Sequence, residues 1–203
     1  MNLERFENKI EGQEDRDFID EMKRNFEVFD IEPKIPVIEK DKLESSDAKA
    51  CFHYDENREG DDVKMINKNY FIFTENNKDI DPEHKEDLSI GLPIHEIRHR
   101  VQHENEYERP KNTERMKLFS LSDLENINDE SLKNALLEYA TNLPEEVKGQ
   151  PREFDVKIVE KIVSNLLKSD SIKPEEVGKL LNADAPEILE YLTKFYPNYD
   201  NSN

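Results

Sequence analysis

Hydrophobic positions recur with a helical period over residues 14–29, where Phe18, Ile19, Met22, Phe26 and Phe29 share one face and charged residues occupy the rest. A weaker spacing of Leu3, Phe6 and Ile10 precedes it and stops at Gly12. Pro33 and Pro36 block further helix, and Ile35 to Ile38 reads as a short strand, placed at a sheet edge by its proline. Over residues 50–74 the pattern shortens into three apolar runs: Phe52 with Tyr54, then Val63, Met65 and Ile66, then Tyr70 to Phe73. The charged connector Asp55 to Asp62, with Gly60 inside it, suits a loop. These runs predict a small antiparallel sheet of three or four strands.

After Thr74 the period becomes helical again. Asp81-Pro82 is a start signal, and Ile90, Ile94, Ile97 and Val101 mark an apolar stripe ending near Glu106. Pro93 is tolerable on that helix if it lies in the first turn. Asp129 can cap the next helix, which carries Leu132, Ala135, Leu136 and Tyr139. Pro151 opens a helix with a broad apolar arc from Phe154 to Leu167, which implies burial on most sides. Pro174 starts a short helix through Leu181, and Asp184-Ala185-Pro186-Glu187 is a capping box for the last one. Residues 198–203 read as a frayed tail. The predicted class is α+β, with a small antiparallel sheet, a central helix and a C-terminal helical bundle. The predicted organisation is one domain over residues 1–170 and a helical extension over 171–203.

Composition adds constraints on partners. The chain has 203 residues, of which 48 are acidic and 29 basic, so the net charge is −19. That charge disfavours nucleic acid and anionic membranes, which would repel it. One cysteine, Cys51, cannot form an intrachain disulfide and reads as a buried small hydrophobe. No apolar run resembles a signal peptide or approaches the ~18 residues of a membrane span, so a cytoplasmic location is expected.

The central helix carries His95-Glu96-Ile97-Arg98-His99, an H-E-x-x-H pattern beside the apolar stripe. Helical residues four apart are offset by ~40° and ~6 Å, so both imidazoles can reach one zinc ion. Zinc acidifies water, and Glu96 stands where a general base is needed to take the proton and pass it to a leaving amine. His103 is too far along a straight helix to join them, ~12 Å from His95, and reads as a surface or pocket-wall residue. No glycine follows until Gly149, so the helix-breaking turn that brings in a third histidine elsewhere is missing. His53 and His84 have no metal spacing.

The third ligand is then a glutamate on a later helix, Glu138 or Glu153. Glu153 is preferred because its neighbour Asp155 falls inside the apolar arc of the helix, where a carboxylate must be paired. The ring N–H of His95 or His99 is the expected partner, which makes Asp155 a support for a ligand rather than a ligand.

Two segments carry a resemblance. His95-Glu96-Ile97-Arg98-His99 followed by Gln102, and Gln150-Pro151-Arg152-Glu153-Phe154-Asp155, resemble small H-E-x-x-H proteins related to minimal gluzincins. The likeness covers roughly residues 70–165. It implies a zinc metallopeptidase in which His95, His99 and Glu153 bind Zn2+, Glu96 is catalytic and Asp155 is the second carboxylate. Val156 stands where those proteins usually have alanine. The implied partner is a protein or peptide substrate, which could add as a strand to the sheet edge. The competing reading is a non-catalytic binding or regulatory module on the same scaffold. Its support is the C-terminal helix pair, whose acidic Glu187 and Glu190 suit protein contact better than phosphate.

Overall fold

In a computed structural model of the chain, the described residues are 18, 20–30, 37–40, 50–53, 70–74, 82–108 and 115–195. Side-chain surroundings are described for 18, 20–30, 87–106 and 115–193. The readings for residues 1–17, for the Val63 to Ile66 run, for the Asp55 to Asp62 loop and for the tail fall outside these residues, as do the side chains of Cys51, His53 and His84. The elements are α1 (residues 20–29), β1 (Val37–Lys40), β2 (Ala50–His53), β3 (Tyr70–Thr74), α2 (Pro82–His103), α3 (Leu121–Glu125), α4 (Glu130–Asn142), α5 (Glu145–Lys148), α6 (Pro151–Lys168), α7 (Pro174–Asn182) and α8 (Ala185–Phe195).

The expected α+β fold with an antiparallel sheet is corrected. Every element whose side chains are described is a helix. The three short strand segments pair in the order β1-β3-β2, with β1 parallel and β2 antiparallel to β3. A short apolar run does not fix the direction of the strand beside it. Among the described residues no helix is long and apolar enough to cross a membrane.

The chain divides into two compact units, Met1–Ile97 and Arg98–Asn203. In the first, Phe18, Met22, Phe26 and Phe29 are buried, as the period of α1 requires. Helix α2 starts at Pro82, as the Asp81-Pro82 signal predicts, so the condition that Pro93 lie in the first turn is not met and Pro93 sits inside the helix. Proline has no N–H to donate to the carbonyl of Ser89, four residues earlier. Ser89 is fully buried, and Asn25 Nδ2 of α1 donates to its carbonyl at 2.9 Å. A side chain from another helix thus supplies a donor to the carbonyl that the proline cannot serve.

In the second unit, α6 buries Phe154, Val156, Ile158, Val159, Ile162, Val163 and Leu166, and Pro151 stands at its start as predicted. Asp129 caps α4, its side chain accepting from Leu132 N at 2.8 Å. Leu132, Leu136 and Ala140 form the buried face of α4. Lys161 lies 5.6 Å from the centre of the Tyr139 ring. Burial, and then the nearby charge of Glu160, push the Tyr139 hydroxyl up to about 12. The capping box of α8 forms, with Asp184 N donating to Glu187 Oε2 and Glu187 N donating to Asp184 Oδ1. Sequence reading missed the short helices α3 and α5. Ser120 and Asp123 at the start of α3 form their own capping box, a readable signal.

Asn25→Leu is expected to destabilise the protein by about 1 kcal/mol or more, because the Ser89 carbonyl loses a donor. In a Pro93→Ala background the same substitution should cost less, since residue 93 then carries an N–H. Urea unfolding of the four proteins checks this, and strictly additive effects would contradict it.

Candidate metal centre

Helix α2 is continuous from Pro82 to His103, so the spacing of the motif becomes geometry. His95 and His99 are half-buried on one face, while Ile94, Ile97 and Val101 are buried. Glu96 is 6% exposed and Arg98 is completely buried. Helix α6 brings in Glu153 from its first turn, where a carboxylate also complements the helix dipole.

Donor atoms of His95, His99 and Glu153 all lie within 4.8 Å of one another. The contact between His99 Nε2 and Glu153 Oε1 is 3.1 Å. Ligand atoms of a tetrahedral zinc with bonds of 2.0–2.1 Å stand ~3.3 Å apart, so this edge already has the right length. Two imidazoles and one carboxylate also match the donor types of a catalytic zinc site, with a fourth position left over. Glu138, the other glutamate considered, is exposed on α4 and is not in the cluster. His103 is also outside it. At 7% exposure it is buried, so of the two places expected for it, surface or pocket wall, the surface does not hold.

Asp155 is 0% exposed, so the expectation that it must be paired is met. Its partners differ from those expected. Arg98, not an imidazole, grips it: Nε donates to Oδ2 at 2.7 Å and Nη2 donates to Oδ1 at 3.0 Å. Gln102 Nε2 donates to Oδ2 at 2.8 Å, and the Phe119 amide donates to Oδ1 at 2.8 Å. Four donors fill the four acceptor positions of the carboxylate. Gln102 Nε2 also donates to the Arg152 carbonyl at 3.1 Å. Arg98 and Gln102 are the partners of Asp155 that sequence reasoning left unassigned. Both lie in the segment that carries the resemblance, but nothing there assigned either of them to Asp155.

Downstream of α2 the backbone widens into a π-helical turn, Glu104–Glu108. Arg100 Nη1 donates to Glu104 there, and Arg152 pairs with Glu106. A cavity of about 150 Å³ is lined by Gln102, Asn105, Glu106, Arg115 and Arg152, among others. Another, of about 400 Å³, lies against Phe119, Leu121, Pro151 and Phe154. Pro151 and Phe154 are three apart on one face of α6, and Glu153 is turned ~130° from the middle of that face, so this larger cavity is not part of the cluster.

Comparison of the chain with family models, with curated proteins and with solved structures found no match.

Glu153→Gln is expected to weaken zinc binding by more than the roughly 10–100-fold that follows loss of a mere supporting partner. Glu138→Gln should leave it unchanged. Competition titration with a chromogenic chelator measures both, and the reverse ranking would remove Glu153 from the site.

Proposed function

We propose that the protein is a zinc-dependent metallopeptidase of the minimal gluzincin type, acting on a protein or peptide in the cytoplasm. The observation that carries this reading is the convergence of the His95, His99 and Glu153 donor atoms within 4.8 Å. The residues fit the ion by donor type, by number and by the His99–Glu153 spacing. Zinc held there would acidify a water molecule and polarise the carbonyl of the scissile bond.

The chain's own residues do the rest. Glu96 follows His95 on the same helix and is 6% exposed, which limits competing solvent around its carboxylate. It takes the proton of the attacking water and returns it to the amine that leaves, so one group serves as base and then as acid. The peptide C–N bond breaks, the water oxygen ends on the new carboxylate and its protons end on the amine and in solvent. The cavity of about 150 Å³ supports the same reading. Gln102 continues the face of α2 that carries His95 and His99, and the space beside it can take a substrate residue.

A non-catalytic binding module remains the second reading, and the C-terminal pair α7–α8 is the feature that favours it. Hydrolysis separates the two. Glu96→Gln is expected to keep zinc at wild-type affinity while cleavage of a fluorogenic peptide mixture falls by about 10²–10⁴-fold. Wild-type protein that binds zinc yet cleaves nothing across such a mixture would favour the binding module.

A further inference from the structure

We propose that Arg98 is a positioning residue that ties the C-terminal end of α7 to the first turn of α6, and so sets where Glu153 stands relative to His99. The inference deepens the metal-site reading and rests on it for its functional consequence. Arg98 occupies a variable position of the motif, beside His95 and His99 on α2, and supplies no atom to the metal cluster. Its guanidinium is buried and fully engaged. Nε and Nη2 hold the two oxygens of Asp155, and Nη1 donates to the carbonyls of Leu181 at 2.8 Å and Ala183 at 2.7 Å.

Those two carbonyls lie at the end of α7, with Ala183 as its cap. The last carbonyls of a helix have no partner within it and carry its partial negative charge. A buried cation is therefore stabilised there, and the planar fork of arginine can serve Asp155 and the carbonyls at once. The order α7 carbonyls, Arg98, Asp155 alternates in charge through a buried region. Asp155 lies two residues beyond Glu153 on the same helix, so the grip on Asp155 fixes the turn that presents Glu153. A shift of that turn by about an ångström, in any direction, would break the geometry of several of the four bonds to the carboxylate at once.

The consequence is a coupling between the C-terminal helix pair and the metal cluster. Whatever loosens α7 lets Glu153 drift from His99. By linkage, a metal ion that holds Glu153 in place must tighten α7.

The test uses the full chain with Zn2+ and Co2+ as probes. Arg98→Lys keeps the charge but cannot form the fork. It should bind both ions ~10–100-fold more weakly and give an altered visible spectrum with Co2+. Val177→Ala acts from the other end, since Val177 is buried in α7 and is not a member of the metal cluster. It should weaken both ions severalfold and speed hydrogen exchange at the Phe154 amide in the metal-free protein. Asp129→Ala, which removes the cap of α4, controls for general loss of stability and should leave affinity and spectrum unchanged. Wild-type affinity and spectrum in Arg98→Lys, or equal losses in Asp129→Ala, would overturn the inference. If Arg98→Lys does not fold, Val177→Ala decides by the same measures. Should the wild type take up neither ion, the metal reading fails by itself. The positioning role is then decided by exchange alone: faster at Phe154 in Val177→Ala supports it, and no change overturns it.

Discussion

A carboxylate that is 0% exposed organises the second unit. A carboxylate in an apolar helix arc needs its acceptor positions answered, because a lone buried ion costs several kcal/mol. The answers come from separate stretches of chain: Arg98 and Gln102 on α2, and the Phe119 amide in the segment before α3. Arg98 in turn needs partners for its remaining donors and finds them at the end of α7. Removing one member of such a pair typically costs about 3–5 kcal/mol, more than a surface ion pair contributes. The arrangement of α2, α6 and α7 in this unit follows from satisfying that one group.

The metal cluster and its support differ in exposure. His99 and Glu153 have side chains 22% and 32% exposed, within reach of solvent. The pair behind them, Arg98 and Asp155, is 0% exposed on both sides. That division suits a site that must admit a ligand without moving. The groups that exchange partners lie outside, and those that set distances lie where water cannot compete for their hydrogen bonds.

Much of the site was legible because its signals are local. The i, i+4 spacing of His95 and His99 states its own geometry once a helix is granted. The wheel position of Asp155 shows that a charge is buried, and Pro151 marks the start of the helix that carries it. The identity of the partner of Asp155 was not legible. Arg98 lies between His95 and His99 in a segment rich in charge, and nothing in its surroundings along the chain distinguishes a buried guanidinium from a solvated one. How α2 accommodates Pro93 in its interior was not legible for a similar reason: the donor to the Ser89 carbonyl comes from Asn25, far earlier in the chain. The sheet failed at the same level, since strand direction depends on connections that apolar runs do not encode. Local chemistry is written in the sequence, and long-range satisfaction of polar groups is not.

The central claim is that His95, His99 and Glu153 hold one zinc ion. Crystals of the full chain grown with zinc, measured on both sides of the zinc absorption edge, test it most directly. The account predicts one anomalous peak about 2.0–2.2 Å from an imidazole nitrogen of each histidine and from a Glu153 oxygen. A fully occupied zinc peak elsewhere, with none among these three side chains, would contradict it.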